Sequence, residues 1–70
     1  SQADAAETIE AVAAARARRL AGADKLAFKR RLSAYLQRRG YAYADIAPVV
    51  DQLWRQIEQD REMQTEGENT

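Results

Sequence analysis

Residues 28–57, FKRRLSAYLQRRGYAYADIAPVVDQLWRQI, decide the fold because they hold two apolar stripes on either side of one glycine. The stripe after Gly40 follows one helix face at spacings of three and four residues and consists of Ile46, Val49, Val50, Leu53, Trp54 and Ile57. The stripe before Gly40 consists of Phe28, Leu32, Tyr35 and Leu36. The pattern predicts helices over about 25–39 and 43–62, with residues 40–42 as the turn.

The ends of these two helices carry further signals. Asp24 is a suitable N-cap for the second helix, and two arginines in its last turn suit the negative end of the helix dipole. Pro48 lies inside the third helix, where it removes one backbone hydrogen bond and presses on the carbonyl of Ala44. The regular helix therefore either begins near Ala47 after a looser turn or bends at the proline.

An alanine-rich segment predicts a first helix over about 5–21. Asp4 followed by Glu7 has the spacing of a capping box, and Gly22 suits a left-handed residue after the helix. Arg16 falls on the apolar face of this helix. Two interpretations stay open, namely a buried stem with the guanidinium in water, or a partly buried ion pair with an acid of the third helix such as Asp51 or Glu58.

These elements predict an all-α fold, a small three-helix bundle in one module over residues 1–62, followed by a disordered acidic tail over 63–70. The core is thin because 15 of the 32 hydrophobic residues are alanine. Phe28, Tyr35 and Trp54 lie on apolar stripes and are predicted to be core residues. We expect Tyr41 to fill the junction between the second and third helices and Tyr43 to be exposed.

The net charge of zero is a sum of three unlike segments. Residues 1–15 carry −3, residues 16–39 carry nine basic side chains and one acid for +8, and residues 40–70 carry −5. The sum of −3, +8 and −5 is zero. Charge segregated in this way indicates separate basic and acidic surfaces for partners.

Composition excludes several classes of protein. Without cysteine or histidine, the chain lacks disulfides, the usual general base and the commonest metal ligands, so we expect no enzyme, no metal site and no cofactor. Its small core leaves little room for a small-molecule substrate. No apolar run is long enough for a membrane span, and no signal peptide is recognisable, which favours a cytoplasmic protein.

Nucleic-acid binding is compatible with the basic segment, since arginine binds phosphate in planar, bidentate geometry. Nine arginines stand against two lysines in the chain. A helix-turn-helix that reads DNA sequence is disfavoured because the third helix carries acids, which phosphates would repel. The basic stretch could equally be a solvated face without a ligand.

Residues 29–50 resemble the repeat unit of the RecX family of bacterial recombination regulators. The resemblance rests on Leu-x-x-Arg-Gly-aromatic at residues 36–41, followed by Asp45-Ile46 at the start of the next helix. Ala42 departs from the pattern, because the family usually has a serine-like helix cap there. The resemblance implies one three-helix repeat, near the C-terminal end of its array. Its structural residues would be Leu32, Leu36, Gly40, Tyr41 and Ile46.

The same resemblance implies a regulator that binds the RecA filament on single-stranded DNA and inhibits recombination and SOS coprotease activity. On charge grounds we expect the partner-binding residues to be Arg18, Arg19, Arg30, Arg31 and Arg38. The alternatives are a module that binds single-stranded or duplex DNA non-specifically without RecA, and a structural capping repeat without a partner of its own.

Overall fold

Three packed helices make up the fold, as the sequence predicts. The computed structural model describes residues 7–68, with side chains through residue 64. The helices are α1 over Ile9–Leu20, α2 over Lys25–Arg38 and α3 over Tyr43–Glu68, and the described residues contain no strand. The all-α bundle is therefore confirmed.

The core lies mainly between α2 and α3. Its large buried side chains come from these two helices and are Phe28, Leu32, Leu36, Ile46, Val50 and Trp54. The rings of Phe28 and Trp54 meet at 5.2 Å between centroids, in a tilted arrangement that suits their opposed edge and face charges. From α1, only Ala13 and Ala17 are fully buried. Its larger apolar residues, Ile9, Val12 and Leu20, are partly buried and pack against the edge of the core.

The turn from α2 to α3 is a Schellman motif built on Gly40. This glycine has a φ of 100°, a region that side chains with a Cβ rarely adopt. The Tyr41 amide donates to the Leu36 carbonyl at 3.2 Å, and the Gly40 amide donates to the Gln37 carbonyl at 2.9 Å. Tyr41 is half-buried against the core, at the junction where it was expected.

The first helix begins later than predicted. Thr8 is extended at φ −99° and ψ 162°, and its hydroxyl accepts a hydrogen bond from the Ala11 amide, so α1 starts at Ile9 and not near Ala5. A threonine at this position satisfies an amide that the first turn would otherwise leave unpaired. Of the two residues of the predicted capping box, Asp4 lies outside the described residues, and Glu7 lies before the helix begins.

The end of α1 also differs from the prediction. Ala21 is the C-cap in right-handed helical geometry, and Gly22 has no positive φ. The Ala23 amide donates to the Leu20 carbonyl at 3.0 Å, which closes the helix with a tight turn instead of a left-handed residue. At the next boundary Asp24 caps α2 as predicted, accepting from the Ala27 amide at 2.9 Å, and Arg39 is the C-cap of that helix.

The third helix runs without a break from Tyr43 to Glu68. It includes Pro48, so the alternative of a regular start near Ala47 is wrong. It also continues six residues past the predicted end at residue 62, and the segment 63–68 is helical where a disordered tail was expected. The physical reason is propensity, because residues 58–66 are mostly good helix formers and the next glycine is Gly67. Residues 69 and 70 lie outside the described part.

Arg61 ties the far part of α3 to the loop between α1 and α2. Its guanidinium donates to the carbonyl of Ala21 and to that of Ala23, the latter at 3.2 Å. The same group lies over the Trp54 ring, 5.2 Å from its centroid. A cation at the last carbonyls of a helix satisfies acceptors that have no intrahelical donor. In the sequence, Arg61 counted only as one basic residue of an acidic segment.

We expect Gly40→Ala to destabilise the fold and Gly22→Ala to leave it unchanged or slightly more stable. Neither glycine has a heavy atom within 4 Å of an added Cβ, so only the backbone conformation separates them. At Gly40 a left-handed residue with a Cβ costs about 1–2 kcal/mol, whereas at Gly22 a less flexible unfolded chain gains about 0.4–1 kcal/mol. Urea unfolding measures both; equal effects would contradict the assigned turn geometry.

Removal of the Arg61 guanidinium is expected to lower the free energy of unfolding by about 1–2 kcal/mol, since two hydrogen bonds and one ring contact are lost. The test is thermal unfolding of Arg61→Ala beside Arg55→Ala, an exposed arginine of the same helix. If both variants melt alike, the contact between Arg61 and the loop contributes nothing to stability.

Candidate partner-binding face

Tyr35 is the centre of a cationic face between α1 and α2. The Arg16 guanidinium lies over its ring at 4.5 Å from the centroid, and the Arg39 guanidinium lies over the same ring at 5.7 Å. Tyr35 is half-buried against the core, so its ring is fixed in place. The ring attracts both cations through its quadrupole.

The position of Arg16 on the apolar side of α1 is explained by this ring. Arg16 is half-buried, and within the described residues no ion pair joins it to Asp51 or Glu58. The aliphatic stem covers apolar surface, as one interpretation had it, while the guanidinium packs on Tyr35. Sequence spacing placed Arg16 correctly on the helix but did not identify the aromatic partner on α2.

Further arginines surround the same ring. Arg19 lines a shallow depression of about 170 Å³ together with Arg16 and Tyr35. Arg31 and Arg38 lie one turn before and one turn after Tyr35 on α2, at spacings that put them on its side of the helix. We call this surface the arginine face, and it consists of Arg16, Arg19, Arg31, Arg38 and Arg39.

The structure thus brings together three of the five arginines singled out in the sequence. Arg19, Arg31 and Arg38 belong to the arginine face and are exposed. Arg18 lies on the other side of α1, beside Leu53 and Ile57 of α3. Arg30 lies on the outer side of α2, in a depression that Tyr43 also lines. The sequence analysis had not included Arg16 or Arg39 in the predicted partner-binding residues. The four-residue spacing from Tyr35 to Arg39 could have suggested Arg39.

One acid partly neutralises the arginine face. The Glu7 carboxylate pairs with the Arg39 guanidinium at 3.3 Å, and both side chains are well exposed. An ion pair so open to water is weak, and with five guanidiniums against this one carboxylate the face stays net positive. Arginines in this arrangement can bind several carboxylates or phosphates at once.

Electrostatics differ on the opposite side of α2, where Lys29 pairs with Asp51 of α3 at 2.8 Å. The hydrogen bond from Lys29, and next its charge, hold the pKa of Asp51 below its ordinary value of 3.8. This pair joins α2 to α3 and takes Lys29 out of the basic surface. In the part of the chain that the structure describes, no group of three or more acidic side chains is arranged to hold a metal ion.

A search against family models matches residues 2–50 to the third three-helix domain of RecX. The chain belongs to the RecX family. RecX proteins are regulators and not enzymes. The match includes α1, α2, every member of the arginine face and the first two turns of α3. No curated protein and no solved structure matches this RecX chain.

None of the helices in the described range is both long and apolar enough to cross a membrane.

The lowered pKa of Asp51 gives a pH prediction for the RecX domain. A carboxyl whose pKa is lower in the folded than in the unfolded state stabilises the fold above pH 3.8, and this contribution is lost as the pH falls through the folded value. Lys29→Gln is expected to return the Asp51 pKa toward 3.8. Carboxyl titration by NMR measures both values; an Asp51 that titrates identically in the two proteins would contradict the ion pair.

Proposed function

We propose that this RecX domain regulates RecA by binding the RecA filament on single-stranded DNA, which lowers recombinase and coprotease activity. Membership of the RecX family supports the partner, and the arginine face supports the mode of binding. This face has five guanidiniums on adjacent sides of two helices.

The arginine face suits a filament because such a partner offers both kinds of anion that arginine recognises. DNA within the filament carries phosphates, and a protein surface carries carboxylates, and both accept bidentate hydrogen bonds from a guanidinium. Arg16 and Arg39 are already packed on Tyr35, so they lose less side-chain freedom on binding than an unrestrained arginine would. Arg19, Arg31 and Arg38 are exposed to solvent and supply most of the long-range attraction.

A second function is compatible with the same face. Five arginines with one weakly held acid also suit non-specific binding to the phosphates of naked DNA, without contact to RecA. Affinity of this kind falls steeply as salt is added, because counterions released from DNA drive it. A surface matched to protein carboxylates and fixed in register keeps its affinity better at physiological salt.

The double variant Arg31→Glu with Arg38→Glu tests the proposal. We expect it to need at least about tenfold more protein to inhibit RecA's DNA-dependent ATP hydrolysis at physiological salt, a change of about 1.4 kcal/mol. The matched control is Arg18→Glu with Arg30→Glu, which changes the net charge equally but lies outside the arginine face. Circular dichroism checks that both variants stay helical.

Equal losses in the two double variants would show that only overall charge matters and would remove the arginine face from the account. Wild-type protein that leaves RecA unaffected, yet binds naked DNA in a strongly salt-dependent way, would replace RecA regulation with the second function.

A further inference from the structure

A shallow depression on the outer side of α2 is lined by two residues that the arginine face does not include. They are Arg30, one of the arginines singled out in the sequence, and Tyr43, the aromatic residue that was expected to be exposed. The depression measures about 360 Å³, which is within the range of small-ligand sites. We call it the Tyr43 depression, and its lining residues are Lys29, Arg30, Ser33, Ala34, Gln37 and Tyr43.

Tyr43 differs from the other aromatic residues of the chain because its side chain is open to solvent. It is 63% exposed, whereas the other four aromatic side chains lie in the core or are half-buried against it. In the described part of the chain, no other ring and no cation packs on the Tyr43 ring. A large ring beside a depression therefore offers its surface to a flat ligand.

The other lining residues provide the polar groups that recognise a nucleotide. The Gln37 amide and the Ser33 hydroxyl each donate and accept hydrogen bonds. None of the six lining residues is acidic. Arg30 is exposed, whereas Lys29 is held by its ion pair with Asp51. The depression is therefore positive and suits an anionic ligand that carries a polar ring.

The Tyr43 depression adjoins the arginine face. Residues four apart are neighbours on a helix, so Arg30, Ala34 and Arg38 form one row along α2. The first two residues of this row line the depression, and the third belongs to the arginine face. An extended anionic ligand can therefore contact both surfaces at once.

We propose that the Tyr43 depression binds one unpaired base of a single-stranded nucleic acid, stacked on the Tyr43 ring, while phosphates of the same strand lie on the adjoining arginines. Stacking accepts any base, because every base has an aromatic face. Bases inside a duplex are closed to a protein ring, so a duplex offers this chain its phosphates alone. The depression thus adds a preference for single strands that phosphate contacts do not provide. The inference concerns a naked strand and does not depend on RecA.

Fluorescence anisotropy tests the stacking contact with an oligothymidine about ten nucleotides long, beside a duplex of the same length. Tyr43→Ala should weaken binding of the single strand by at least about fivefold and leave binding of the duplex unchanged. Tyr43→Phe keeps the ring and should bind like wild type. The matched control is Met63→Ala, which removes another side chain of α3, 70% exposed, and should also bind like wild type. Circular dichroism checks that the variants stay helical.

An abasic strand of the same length separates the ring contact from the charge contacts. It keeps every phosphate but has no base to stack, so Tyr43→Ala should bind it as tightly as wild type does. Arg31→Glu with Arg38→Glu should weaken binding of the single strand, the duplex and the abasic strand alike, because all three share the phosphate contacts.

Three results would overturn the proposal. They are a wild-type protein that does not bind the single strand, a Tyr43→Ala variant that binds it as tightly as wild type, and a Tyr43→Ala variant that loses equal affinity for the oligothymidine and for the abasic strand. The third result would show that Tyr43 contacts no base. None of these measurements contains RecA, so this inference and the proposed function fail separately.

Discussion

The first helix contributes only alanine methyl groups to the fully buried core, and much of the structure follows from this constraint. Only the methyl groups of Ala13 and Ala17 are fully buried from α1, whereas α2 and α3 bury six large side chains against each other. Burial of a methyl group stabilises a fold much less than burial of a leucine or an aromatic ring does. The helix therefore depends on the partly buried Ile9, Val12 and Leu20, which pack against this core, and on contacts at its margins.

Arginine supplies three of these marginal contacts. Arg16 packs on Tyr35, Arg39 pairs with Glu7 just before α1, and Arg61 donates to the Ala21 carbonyl just after it. Two of these arginines also belong to the arginine face, so the residues that attach α1 are among those that shape the surface offered to a partner. The same short alanines leave an apolar groove between α1 and α3, lined by Ala14 and Leu53 among others. The way α1 is attached, the basic surface and the groove thus all follow from the small side chains of α1.

The fold could be predicted where the sequence has large apolar side chains or a residue that constrains the backbone. The stripes around Gly40 predicted α2, α3 and their turn because large apolar residues and a left-handed glycine leave few alternatives. The start of α1 was misplaced because alanine content does not fix a boundary, and Thr8 decides it by one hydrogen bond. The end of α3 was misplaced because a polar composition was taken for disorder although its residues favour helix.

The sequence predicted that the candidate site is a basic surface, but it did not predict which arginines form it. Charge counting identified the basic segment, yet Arg18 and Arg19 are neighbours in sequence that lie on different sides of α1. Arg39 was missed because counting charges along the chain does not use its four-residue spacing from Tyr35. Arg61 was missed because it acts on a loop forty residues away, and no local pattern encodes such a contact.

Residue-resolved hydrogen exchange on the wild-type chain tests most directly whether α1 is held less firmly than the α2–α3 core. Local opening should release α1 before the α2–α3 core, so amides 12–17 should exchange at least about tenfold faster than amides 32–36 and 50–54. Equal protection across all three helices would show that α1 is as firmly anchored as the core and would contradict this account.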